Sequence, residues 1–209
     1  MLGRGDGRPI NEDTPVAPCS RKGEVRARAA DALLLAHRAG RVEVVIGRAS
    51  DFYGPEGGKT HFGDHFWPAA LHGKTVRALI DPDAIHTYHY TLDVARGLVA
   101  LGGAQAEDCG RVWMLPCQPA GTARALVARL AEALGRPIAL AATPRAMAAA
   151  LALVMPVVRE LKEMLYQWDQ PFVADDTRFR ARFGLQPVAV AQAALDTVTW
   201  ARQHYSATS

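Results

Sequence analysis

Three groups of residues in this 209-residue chain carry side chains that can do chemistry. The first is Arg48-Ala49-Ser50-Asp51-Phe52-Tyr53-Gly54-Pro55, where a guanidinium, a hydroxyl, a carboxylate and a phenol follow the β-branched run Val44-Val45-Ile46. A strand that leaves the core through polar residues and a Gly-Pro turn opens its carboxyl end, and in parallel sheets ligands sit beyond that end. The same residues also read as a structural turn fixed by Gly54-Pro55. The second group is His86-Thr87-Tyr88-His89, whose polar-aromatic alternation predicts a short exposed strand. His86 and Tyr88 on it can reach a substrate, or they belong to an ordinary exposed edge strand. The third is Lys22, in the first turn of a helix, where an ammonium opposes the helix dipole. Such a poor electrostatic placement makes a binding role as good a reading as plain exposure.

Other patterns carry less. His61-x-x-x-His65 would share a helix face, but Phe62 stands where a zinc-protease pattern has glutamate, so no metal is expected. Asp93 suits the first turn of a helix, where the dipole favours its charge. Met164, Tyr166 and Trp168 form an aromatic stripe of core type. The cysteines, Cys19, Cys109 and Cys117, are odd in number and lack a Cys-x-x-Cys, which gives neither a disulfide framework nor a zinc pattern. Reduced thiols fit a cytoplasmic protein.

The composition excludes several classes of protein. At 49% hydrophobic and 22% charged it is that of an ordinary globular protein, long enough for one substantial core. The net charge of +3 comes from scattered arginines rather than a concentrated patch, which argues against a nucleic-acid partner. The longest apolar run, Ala146 to Val158, is interrupted by Pro156 and falls short of the ~20 residues a membrane span needs. The polar, glycine-rich start MLGRGDGRPINEDTP has neither signal-peptide nor anchor character. No membrane partner is expected.

The elements that must position these groups follow from periodicity. Residues 1–21 read as loop. Lys22 to Gly40 is a helix, with Val25, Ala29, Ala32, Leu33 and Ala36 at three- and four-residue spacing and Gly40 at its end. A strand over 42–47 follows at once, and helix-to-apolar-strand succession implies a parallel sheet. Further expectations are a helix over 64–71, strands over 75–80, 87–91, 111–115 and 138–142, and helices over 92–101 and 122–134, the last closed by Gly135. Residues 144–168 are expected to be helical with a break at Pro156. Two more helices, 177–183 and 190–205, complete the chain.

Taken in order, three motifs resemble the extended short-chain dehydrogenase/reductase family, the NAD-dependent epimerases and dehydratases. They are Arg48-Ala-Ser-Asp-Phe-Tyr53-Gly54-Pro55 after a helix and strand, Tyr90-Thr-Leu-Asp93-Val94-Ala95, and Phe183-Gly-Leu-Gln-Pro187 before a helix containing Trp200. The resemblance runs from about Asn11 to Gln203. It implies an α/β fold: the C-terminal half of a Rossmann-type parallel sheet with a smaller, mainly helical substrate-binding region. The expected division is an N-terminal loop (1–21), the Rossmann-like remainder with interleaved substrate-region segments (22–115), and a mostly helical substrate-covering region (116–209).

The implied chemistry is hydride transfer with NAD or NADP on a small hydroxylated or carbonyl substrate, a nucleotide sugar among the candidates. In that reading Lys22 holds the cofactor ribose, and Arg48, Ala49 and Ser50 meet the nicotinamide end. Asp51, Tyr53, His86 and Tyr88 line the substrate pocket. Pairing of the Lys22 helix would make a homodimer. Two departures stand against the resemblance. No Gly-x-x-Gly-x-x-Gly loop follows a strand in this sequence, so the pyrophosphate cradle is missing and the chain resembles the later part of a longer enzyme. Pro18 stands four residues before Lys22, where the family's proton-transferring tyrosine is expected, and proline has no proton to give. The alternative expectation is therefore a catalytically silent fragment or binding module that does not hold the cofactor alone.

Overall fold

In the computed structural model, residues 8–78, 80–143 and 171–206 are described. The expected helix over 144–168, with the stripe Met164, Tyr166 and Trp168, lies outside them. The chain is α/β, and three of the four strand pairs among the described residues are parallel.

Helix α1 (Arg21–Arg38) begins where the sequence provides a cap. The Ser20 hydroxyl accepts from the Gly23 backbone N–H at 3.1 Å, which satisfies a helix-end donor that otherwise has no partner. The residues that carry its periodicity do not face the interior. Val25 and Leu33 are about half exposed, and the buried positions are Gly23, Ala27 and Ala30. Small side chains let the helix backbone lie close to the structure beneath it.

After α1 comes β1 (Val45–Arg48), paired in parallel with β6 (Arg111–Met114) so that Arg48 lies opposite Met114. The polar run expected as loop then re-forms a strand, β2 (Asp51–Tyr53), parallel to β5 (Tyr88–Tyr90) with Asp51 opposite Tyr88. The helix expected over 64–71 is shorter, α2 (Trp67–Leu71), with Pro68 in its first turn. The remaining strands are β3 (Val76–Ala78), β4 (Ile85–His86), β7 (Gly121–Thr122) and β8 (Leu140–Ala142). β3 pairs in parallel with β8, and β4 runs antiparallel to β7.

Helix α3 (Thr91–Gly102) follows β5 directly. Helix α4 (Ala123–Leu134) is capped by the Thr122 hydroxyl on the Ala125 N–H and ends at Gly135, whose φ of 76° is the left-handed conformation that glycine adopts at little cost. Helices α5 (Thr177–Phe183) and α6 (Val190–Ser206) close the chain.

Two hydrophobic clusters hold these elements. The larger joins Tyr53, Phe62, Phe66, Trp67 and Tyr90 to Leu126, Leu130, Ala194 and Val198, so the β2 corner, α2, α4 and α6 share one core. The smaller gathers Leu101, Trp113, Leu115 and Phe179 under β1 and β6, with the Phe179 and Phe183 rings 4.6 Å apart. Among the described residues no helix is long and apolar enough to cross a membrane.

Leu130 is fully buried between these helices, whereas Leu33 is 48% exposed. Urea denaturation should show Leu130→Ala losing about 2–5 kcal/mol of stability. Leu33→Ala should stay within about 0.5 kcal/mol of the parent chain.

Candidate functional site

The corner between β1 and β2 is set by one buried imidazole. The Ser50 backbone N–H donates to His89 Nδ1 at 3.1 Å, so that nitrogen is an acceptor and the ring proton sits on Nε2. Nε2 in turn donates to the Leu115 carbonyl at 3.2 Å. His89 is 0% exposed, and burial pulls its pKa down to about 4, against the opposing pull of the Leu115 carbonyl and two aspartates. The Ser50 hydroxyl also turns inward and donates to the Thr87 carbonyl. The Tyr53-Gly54-Pro55 turn is tied down just beyond, where the Thr91 hydroxyl donates to the Pro55 carbonyl at 2.9 Å. Gly54 has φ +127°, and a Cβ there would stand 2.8 Å from the Tyr90 ring. Only glycine fits that position.

Asp51 and His86 form the second feature. His86 Nε2 lies 2.7 Å from Asp51 Oδ2, with the His86 side chain fully buried and the Asp51 side chain 26% exposed. The imidazole stacks on Phe172 at 5.1 Å and lies 5.0 Å from the Tyr88 ring. His61 joins this neighbourhood: burial lowers its pKa, the Asp51 charge opposes that shift and the His86 charge adds to it. The Tyr88 hydroxyl is buried without a hydrogen-bond partner among the described residues, and burial together with Asp51 raises its pKa. His65, the other half of the sequence pair, is exposed.

The strand expected to be exposed is therefore interior. His86, Thr87 and His89 are 0% exposed, Tyr88 is 4% and Tyr90 is 1%. Alternation gave no warning, because both faces of β5 are covered: the Ser50 turn and Leu115 bind one side, and Phe62 packs edge-on to Tyr88 at 5.4 Å on the other. Polar groups on such a strand must find partners. The Thr87 hydroxyl accepts from the Ala174 N–H at 2.9 Å, and the Thr87 N–H donates to the Phe172 carbonyl.

The remaining sequence candidates divide by location. Lys22 is exposed in the first turn of α1, and Pro18 lies upstream of the Ser20 cap, outside the helix. Arg48 is half-buried, with its Nε enclosed and without a hydrogen-bond partner among the described residues. Burial lowers its pKa, while Asp31 and Glu12 pull it back up. Ala49 and Ser50 are partly buried at the corner. Tyr53 is fully buried, its ring 5.6 Å from Tyr90. The structure thus brings Asp51, His86 and Tyr88 together, leaves Arg48 half-buried in the fields of Asp31 and Glu12, and encloses Tyr53 in the core. It also adds His89, which only the pairing of β2 with β5 could have nominated, and brings His61 into the field of Asp51. The three cysteines are free, and among the described residues no group of three or more potential ligands could hold a metal.

A corner built at the carboxyl end of a parallel strand is the site type of dinucleotide enzymes. Residues 1–115 match the NAD dependent epimerase/dehydratase family. The chain belongs to that family. Solved structures share its fold. UDP-glucuronic acid 4-epimerase from Bacillus cereus, in complex with UDP-glucuronic acid and NAD, superposes with a TM-score of 0.76 at 16% identity, over 98% of this chain and 59% of that one. For dTDP-glucose 4,6-dehydratase from Streptomyces venezuelae, with NAD bound, the values are 0.72 and 21%, over 98% and 58%. RMD from Pseudomonas aeruginosa, complexed with NADPH, gives 0.74 and 14%, over 97% and 63%. The chain thus spans about three-fifths of the length of these structures. No curated protein matches it.

The His89 clamp makes stability depend on pH. The folded state holds His89 neutral down to about pH 4, whereas the unfolded chain takes up the proton near 6.5. The contribution is therefore complete above about pH 6.5 and is lost as pH falls toward 4, amounting to roughly 3 kcal/mol. Chemical denaturation between pH 7.5 and 4.5 should show His89→Gln, which keeps a donor for Leu115, with a shallower loss than the parent chain.

Proposed function

We propose that this chain takes part in NAD(P)-dependent epimerase, dehydratase or reductase chemistry on a small hydroxylated or carbonyl substrate. The observation that carries the reading is the β1–β2 corner, fixed by His89 at the carboxyl end of a parallel strand in a chain of this family. The family's cofactor supplies the hydride acceptor or donor. The residues here fit one end of it. Lys22 presents an ammonium at the head of α1 for ribose hydroxyls, and the Arg48–Ser50 corner borders the nicotinamide end. Ser50 acts through its backbone position, because its N–H and hydroxyl are both engaged internally. Asp51, with His86 and Tyr88 behind it, faces the substrate. Val25, Leu33 and Leu35, all exposed on α1, support pairing of this helix with a second copy.

These 209 residues hold no glycine-rich strand–turn–helix to cradle a pyrophosphate, so what they themselves offer the cofactor is a grip on its nicotinamide ribose. A second reading, a binding module without chemistry, draws on Pro18, which leaves no phenol one helical turn before Lys22. Fluorescence titration separates the two. NADH and reduced nicotinamide mononucleotide should bind with similar, weak affinity, and Lys22→Ala should weaken both. Tight NADH binding that far exceeds mononucleotide binding would show a pyrophosphate cradle elsewhere in the chain. Binding indifferent to Lys22 would remove the assigned role.

A further inference from the structure

We propose that the C-terminal end of α6 is a latch: Trp200 and Tyr205 hold residues 56–60 closed as a strap, and their hydrogen bonds set how often it opens. The inference concerns the chain that leaves the β2 corner, and it holds whatever is bound there.

The strap folds back on itself instead of running straight to α2. The Gly57 N–H donates to the Gly54 carbonyl at 3.2 Å, the Thr60 N–H to the Gly57 carbonyl at 3.0 Å, and the Asp64 N–H to the Gly58 carbonyl at 2.8 Å. The return is tight. A Cβ at Gly63 would stand 2.1 Å from the Gly58 carbonyl oxygen. Both sides of the strap are fixed. Pro55 is held through its carbonyl by the Thr91 hydroxyl, and Phe62 and Phe66 are buried in the core.

The strap itself has little to hold it. Gly57 and Gly58 bring no side chain to pack, and Glu56 and Lys59 are exposed. Glu56 also has a φ of 61°, the left-handed region that costs a residue with a Cβ free energy. Something outside the turn must offset that cost.

Helix α6 supplies it. Trp200 Nε1 donates to Glu56 Oε1 at 3.1 Å, and the Tyr205 hydroxyl donates to Asp64 Oδ1 at 2.8 Å. The Tyr205 bond holds the Asp64 carboxyl below the usual carboxylate range, and Lys59, its Nζ 3.6 Å from Asp64, adds to that. The two donors form one unit, their rings edge to face at 5.5 Å. The helix that carries them is seated in the core by Ala194, Val198 and Ala201. A fixed element thus offers two neutral donors to the carboxylates at the start and return of the strap. Water competes for bonds at the surface, so each is weak. The closed strap therefore opens locally while the core stays folded.

Hydrogen exchange of the full chain, followed by NMR at the amides of Gly57, Thr60 and Asp64, tests the latch. Trp200→Phe keeps a ring but loses the indole donor, and should speed exchange at Gly57 and Thr60 about fivefold, the scale of one modest hydrogen bond. Glu56→Ala removes the same bond from the exposed side, where folding is not at stake, and should match it. The double variant should exchange no faster than either single one. Tyr205→Phe should speed Asp64 and Thr60 by a similar factor. Amides of α6 and β5 should keep the parent rates throughout. The proposal is overturned if Glu56→Ala leaves the strap amides unchanged, or if the two single effects simply multiply in the double variant. It is also overturned if α6 and the strap accelerate by the same factor, since Trp200 would then only support the global fold.

Discussion

One buried imidazole governs the architecture around the candidate site. His89 accepts from Ser50, at the exit of β1, and donates to Leu115, just after β6. Leu115 itself donates through its backbone to the Arg48 carbonyl at 2.8 Å. Three strands that are distant in sequence are thereby locked at a single point. A neutral histidine does this well because its two nitrogens play opposite roles, and burial keeps it neutral. Losing either partner would leave an unmet polar atom in the interior, a cost larger than the bond contributes when made.

The clamp also sets the position of the neighbouring strand. With Ser50 fixed, the parallel register places Asp51 beside Tyr88 and within reach of His86. A second polar centre seals the far side. Asp93, at the start of α3, accepts from the Val188 backbone N–H at 3.0 and 3.1 Å, from Arg96 at 3.0 Å and from the Gln118 side chain at 3.3 Å. The segment leading into α6 is thus pinned to the same helix that grows out of β5. The residue that looked like a simple helix-dipole partner is a junction between distant parts of the chain.

Much of the fold was legible because it is locally encoded. Ser20, Thr122 and Gly135 mark helix ends, since a cap or a left-handed residue satisfies backbone groups within its own turn. The apolar run before Arg48 and the Arg111–Met114 strand emerged for the same reason. The site was less legible. Arg48, expected at the nicotinamide end, also lies in the fields of Asp31 and of Glu12, whose carboxylate accepts from the Met114 N–H at 2.9 Å. That contact joins residues a hundred positions apart, and no spacing rule reports it. His61 suggested a helical pair with His65, yet α2 begins only at Trp67, so the two are not on one helix face.

By itself the sequence determined the element types, their order, the parallel α/β character and the membership of the Tyr53-Gly54-Pro55 corner in a dinucleotide-enzyme family. Those properties depend on periodicity, capping chemistry and glycine or proline geometry, all of which act within a few residues. Only the tertiary structure decided which side of α1 turns inward, that His86 through Tyr90 are interior, and that Asp51 lies beside a buried histidine. Burial and pairing are properties of what lies opposite a residue. For Ser50 and His89, or Asp51 and His86, the opposite residue is supplied by the register of β2 against β5, which forms only when the chain closes on itself.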